Sequence, residues 1–225
     1  IAVDCRMSGL SGIGVYLDNI LDPFVNENKG DSFILIGNPD NLKRLAKYEN
    51  CTIISKNINI FSVEEIIKFP VSEINKCDFF FTPNYNIPGG IKVPVYSMIH
   101  DVVFLDVKGL TSWIGRLIRW FFLFRALKKS KVIFTVSDFS KQRIKAHFGK
   151  TPEIVVVNSG ISEELKEYKT TPKKLYDFEY ILFIGNIKKH KGLSILLEAY
   201  EKSVNKGFDK KLIIVGNNKN FKTSD

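Results

Sequence analysis

Three features of the sequence predict an α/β protein built on parallel sheets. Short, nearly continuous apolar runs recur along the chain, segments of helical period separate them, and glycine-rich or helix-capping loops follow the runs. Runs apolar on both sides are what a parallel strand covered by helices above and below requires. With 44% apolar and 25% charged residues among 225, the chain can bury a core and does not have a disordered composition.

The strand-like runs are 1–6, 32–37, 51–55, 77–82 (CDFFFT), 93–99, 132–136 (VIFTV) and 153–157. Helical segments fall at 13–28, 40–48, 62–75, 112–130 and 138–147. Residues 1–160 thus read as one Rossmann-like domain with a parallel sheet. The stretch 161–178 is charged, poor in aliphatics and carries Thr170-Thr171-Pro172, which reads as an interdomain connection. A second unit then opens at 179 with strand 180–184, helix 192–205 and strand 211–215. Such a unit leaves its edges uncovered, so 179–225 is expected to be the start of a larger domain.

Ile1-Ala2-Val3 already reads as strand, and no apolar run approaches the ~20 residues that span a bilayer. Cys5, Cys51 and Cys77 are scattered, as reduced thiols are, so the expected compartment is the cytoplasm. The net charge of +9 is spread over many segments, with no basic block alternating with aromatics. That argues against nucleic acid and leaves an anionic small ligand or an anionic membrane surface.

In open parallel sheets ligands bind beyond the carboxyl ends of the strands, so the residues following each run carry the functional reading. The first run leads to Gly9-Leu10-Ser11-Gly12-Ile13-Gly14 and a helix start. Gly12 and Gly14 lack Cβ, which lets backbone approach a phosphate at the helix N-terminus; a tight turn needing positive φ is the competing explanation. The spacing reverses the dinucleotide fingerprint and no acid follows Gly37, so a nicotinamide or flavin cofactor is not expected. His100-Asp101 follows the fifth run, where either residue can meet a sugar hydroxyl or cap the strand end. Ser137 precedes a helix, for which capping is the simpler role. Asn158 closes the seventh run. Gly185, Asn186 and Lys191 lead into the last helix, where a cation in the first turn opposes the dipole unless an anion sits there. His100, His147 and His190 lack metal-ligand spacing, so no metal is expected.

These positions together resemble glycosyltransferase family 4, the retaining transferases of the GT-B fold. The resemblance rests on Ser11 through Tyr16, Thr82-Pro83-Asn84-Tyr85 with Pro88, His100-Asp101, Thr135 through Lys141, Val157 through Ile161, and Gly185 through Gly192 before Leu196-Leu197-Glu198-Ala199. It implies an acceptor-side domain over 1–160 and the opening of a nucleotide-sugar domain after 179. It implies transfer from a nucleotide-diphosphate sugar to a saccharide or lipid-linked acceptor with retention, in bacterial-type polysaccharide or glycolipid synthesis, and without metal or other cofactor. By position, Gly12 and Gly14 would lie near the diphosphate or acceptor, His100 by the reacting centre, and Lys191 on the diphosphate. Asp101, Ser137, Asn158, Gly185 and Asn186 would line the substrate sites. Asn186 stands where many members have arginine, and the family's glutamate motif lies beyond residue 225. A non-catalytic nucleotide- or sugar-binding module of the same fold is the alternative.

The segment 113–129 is apolar nearly all round, and its basic residues do not gather on one face. It reads as a buried helix, with a helix seated on an anionic membrane, at the inner face, as the alternative.

Overall fold

The computed structural model describes residues 1–56, 58–60, 62–161, 175–187 and 191–216. The chain divides into two compact units, Ile1–Glu167 and Tyr168–Asp225. The first is built from β1 (Ala2–Asp4), α1 (Ser11–Glu27), β2 (Phe33–Gly37), α2 (Pro39–Leu42) with a 3-10 turn at Lys43–Leu45, and β3 (Cys51–Ser55). It continues through α3 (Val63–Lys68), α4 (Val71–Ile74), β4 (Phe80–Thr82), β5 (Val95–Met98), α5 (Val103–Asp106), α6 (Trp113–Lys129), β6 (Ser130–Thr135), α7 (Asp138–Phe148) and β7 (Glu153–Val156).

All seven strands are parallel, in the order β3-β2-β1-β4-β5-β6-β7. The sheet is Rossmann-like, as the sequence predicts. The chain builds outward in one direction from β1 to β3, then returns to the middle and builds the other way from β4. Right-handed crossovers place helices on opposite faces of the two halves. The carboxyl ends of β1 and β4, paired at Val3 and Phe81, therefore form the switch point at which a crevice opens.

Strand alternation sorts the core into two layers. Val3, Phe33 and Leu35 bury against Leu17, Leu21 and Val25 of α1 and against Leu42 and Leu45. Ala2, Ile36, Phe80, Val95, Ile133 and Ile154 bury on the opposite face with Leu123 and Ala126 of α6 and Ile144 of α7. Each fully buried leucine or isoleucine contributes about 1.5–3 kcal/mol.

Three expectations are corrected. The helix expected over 62–75 is two short ones, because Pro70 holds Phe69 extended at φ −67° and ψ 145°. The short helix α5 was not foreseen. Finally, α6 buries only one side, through Phe122, Leu123, Ala126 and Leu127, and exposes Trp113, Ile114, Leu117, Ile118 and Phe121. The buried-helix reading holds for its inner face alone.

The second unit has β8 (Tyr180–Ile184), α8 (Leu193–Val204) and β9 (Lys211–Val215), with the two strands parallel from Tyr180–Lys211 to Ile184–Val215. This is the expected strand–helix–strand order. Most of the connection read over 161–178 lies outside the described residues.

Candidate functional site

The turn after β1 is held from both ends. Met7 O accepts from Leu10 N at 2.9 Å, and Asp18 reaches back from α1 to accept from Ser8 Oγ at 2.6 Å and Gly9 N at 2.9 Å. Arg44 pairs with the same carboxylate at 2.7 Å. The positive φ this turn needs, +74°, falls on Gly9 and not on Gly12 or Gly14. Gly14 has a different constraint: a Cβ there would stand 2.0 Å from Met7 O. Its lack of a side chain serves the packing of helix on loop. Only Gly12, whose Cβ would meet nothing within 4 Å, is open for ligand approach.

α1 begins at an N-cap, Leu10, that makes no side-chain hydrogen bond, and its first turn carries no acid. The first N–H groups of that turn therefore have no side-chain cap, and no carboxylate offsets the positive end of the dipole. Beside them lies a cavity of about 270 Å³ lined by Gly12, Val15, Tyr16, Asn19, Ile20, Ser159, Gly160 and Ile161. Asn158 is exposed next to this lining. A larger apolar groove of about 640 Å³ shares Tyr16, Asn19 and Ile20 and continues over Phe81, Tyr96 and Phe134 of the sheet.

His100 is half-buried behind Tyr16, the two rings meeting edge to face at 5.3 Å and 86°. Its Nε2 lies 3.1 Å from Pro83 O. A carbonyl only accepts, so Nε2 carries the proton and Nδ1 keeps the lone pair in the neutral ring. Burial lowers the His100 pKa, against the Pro83 hydrogen bond and Asp101, which raise it. The ring is accordingly neutral at pH 7, a hydrogen-bond acceptor at Nδ1. Burial raises the Tyr16 phenol, which stays protonated. His100 is not among the residues lining the cavity; Tyr16 stands between.

The other candidates sort by their partners. Asp101 Oδ1 accepts from Val103 N at 3.1 Å and closes the start of α5. Ser137 caps α7, accepting from Ser140 N at 3.1 Å, while Ser140 Oγ donates to His100 O at 3.0 Å. In the second unit Gly185 follows β8 and donates to Val215 O at 2.9 Å, and Asn186 is exposed. Lys191 is exposed at the entry to α8, whose N-cap Gly192 has φ +72° and whose first turn has no acid. Lys188, Lys189 and His190 lie outside the described residues. Among the described residues no three His, Cys, Asp or Glu side chains converge as a metal site would require.

Sequence reasoning missed a buried charge cluster at the end of β1. Arg6 pairs with Asp4 at 2.7 Å and with Glu65 of α3, donates to Ile58 O at 3.4 Å and stacks over Phe69 at 4.5 Å. Asn86 donates to the same Glu65 carboxylate. Burial disfavours the Arg6 charge, but the two acids outweigh it and raise its pKa. The i,i+2 Asp4–Arg6 pair inside an apolar strand was the available sign. Among described buried side-chain atoms, Asn86 Oδ1 and Thr135 Oγ1 have no hydrogen-bond partner.

No family model matches the chain, and no curated protein matches it in sequence. Solved structures do share its fold. The HepE protein of Anabaena, determined in complex with UDP-glucose, aligns at a TM-score of 0.58 with 11% identity, over 96% of this chain and 68% of that one. A glycosyltransferase of Rickettsia africae aligns at 0.58 with 20% identity, over 96% of this chain and 59% of that one. The chain thus spans roughly two thirds of these proteins' lengths.

Proposed function

We propose that the protein transfers a glycosyl group from a nucleotide-diphosphate sugar to a saccharide or lipid-linked acceptor. The supporting observation is the uncapped start of α1 at the sheet's switch point, opening on a cavity backed by Tyr16 and neutral His100. That arrangement occurs in a fold shared with a UDP-glucose complex and with a glycosyltransferase. GT-B geometry, with the donor domain beginning at the second unit, is part of the proposal, as are retention, a cytoplasmic setting and a role in polysaccharide or glycolipid synthesis.

In this reaction the bond from the anomeric carbon to the leaving phosphate oxygen breaks and a bond to the acceptor oxygen forms. The acceptor's hydroxyl proton ends on the departing diphosphate. The work of the protein is to stabilise the charge developing on that leaving group. Lys191 is assigned to it, and a charge-assisted contact of this kind contributes about 1.5–3 kcal/mol; the N–H groups flanking Gly12 are assigned to the diphosphate or the acceptor. His100, which Tyr16 separates from the cavity, is assigned to the reacting centre through its edge-to-face contact with that ring. Gly185 and Asn186 border the donor and Asn158 the acceptor side; neither metal nor cofactor is required.

The test is turnover of nucleotide sugars by the full-length protein, scored by nucleoside diphosphate release with acceptor present. Lys191→Ala is expected to lower turnover ~10²–10³-fold. His100→Ala is expected to lower kcat while donor affinity by calorimetry holds, as for a group acting mainly in the transition state. A full-length protein that binds donors but never turns them over supports instead a non-catalytic module, the reading that Asn186 favours.

A further inference from the structure

The outward side of α6 is an apolar surface that the proposed transfer leaves unused. A helix that packs on a sheet ordinarily shows water its polar side. Here the outward positions hold Trp113, Leu117 and Phe121, which are 77%, 58% and 54% exposed, with Ile114 and Ile118 beside them. These residues recur at three- and four-residue spacing, so they form one continuous stripe and not scattered exposures.

The charge around the stripe indicates what covers it. From Val107 to Ser137 there is no acidic residue, while the same stretch holds seven basic ones. Arg116 turns inward to Leu105 O, and Arg125 to Ile87 O and Pro88 O. Lys128 and Lys129 are exposed at the C-terminal end, with the Lys128 ammonium 5.6 Å from the Phe124 ring on the outward side. An apolar, tryptophan-bearing stripe in an acid-free cationic segment complements an anionic bilayer surface. No described helix is long and apolar enough to cross a membrane, so the helix would lie in the interface plane.

We propose that α6 seats the first unit on an anionic lipid bilayer, with Trp113, Leu117 and Phe121 entering the boundary of headgroups and acyl chains and Lys128 and Lys129 meeting lipid phosphates. The proposal does not rest on glycosyl transfer, since binding requires no donor. The chain supplies its own reporter: its two tryptophans are Trp113 and Trp120, both exposed on α6.

The full chain is mixed with vesicles of phosphatidylcholine alone, or with phosphatidylglycerol added, and tryptophan emission is followed. Anionic vesicles should shift the emission to the blue, brominated acyl chains should quench it, and high salt should reverse both. Leu117→Ser with Phe121→Ser should lower partitioning by about tenfold or more, with circular dichroism unchanged because both side chains are exposed. Lys128→Gln with Lys129→Gln should lower it by about tenfold. Unchanged emission with anionic vesicles overturns the proposal, as does equal partitioning of the variants. So does self-association in lipid-free solution that the serine pair abolishes and vesicles do not compete away, which would assign the face to a second copy. Should the serine pair fail to fold, wild-type quenching and its salt dependence still decide.

Discussion

The helices α1 and α7 start at the same edge of the sheet, after β1 and β6, and their first turns are finished in opposite ways. α7 is closed upon itself: Ser137 caps it, Asp138 sits in its first turn, and Lys145 and His147 occupy its last. α1 has neither cap nor acid, yet the loop before it is tied down by Asp18, Arg44 and Asn41. A loop fixed so firmly in front of an unfinished helix end is what the proposed transfer builds on. In the sequence both starts look alike, a small polar residue before an apolar period; the partners tell them apart.

The comparison breaks most sharply at the glycines. Gly14→Ala would force Met7 and α1 apart, since a backbone oxygen cannot yield 2.0 Å, and should cost about 3–4 kcal/mol in urea unfolding. A variant as stable as the parent would show that the loop can relax, and with it the account of why α1 stays open. Gly12→Ala has the opposite sign. It sits in helix with free space around it, so stability should rise by about 0.5–1 kcal/mol while donor turnover falls ~10-fold. Unaltered turnover would leave the open end without a ligand.

Ser137→Ala sharpens the other side. Loss of the cap should cost about 1 kcal/mol and leave kcat and KM alone; a kinetic defect would return Ser137 to the substrate site. The smallest effect is expected at Asp106, which anchors the far end of α7 by accepting from Arg143 Nε at 3.1 Å and by pairing with His147 at 2.6 Å. The Arg143 hydrogen bonds, against some desolvation and with help from His147, hold its carboxyl down to about 2. A lowered folded-state pKa stabilises above the unfolded value near ~3.9 and ceases to do so as pH falls toward 2. Asp106→Asn should therefore melt slightly below the parent at pH 7, with the gap closing between pH ~4 and ~2.

Much of the scaffold was legible because a parallel strand buried on both sides must be apolar throughout. CDFFFT and VIFTV have no other good use: β4 occupies the last three residues of the first run, and β6 overlaps the second with ends one or two residues away. The division of 62–75 was written in Pro70, whose effect on Phe69 periodicity alone overrides. Residues 103–106 carry too short a pattern to declare a helix. Around the site, what was legible was where chemistry gathers, since strand ends and glycines are visible in any sequence. What escaped was every property created by a distant partner. Met7 O decides what Gly14 is for, Tyr16 decides what His100 faces, and Ser159 through Ile161 complete a cavity begun at Gly12. The outward stripe of α6 was legible only as an alternative to burial for a related reason: apolar content does not say which side a neighbour covers.

That cavity has walls from the first helix and from the last loop of the same unit, so it exists only when the whole sheet is assembled. A small molecule that fills it has nothing to bind on the unfolded chain. By mass action such a ligand raises unfolding free energy by about 2.7 kcal/mol at a hundredfold excess over its Kd. The melting temperature of the protein is thereby a ligand detector that asks nothing of catalysis. Nucleotide sugars, free diphosphates and candidate acceptors can be ranked by the heat each lets the fold withstand.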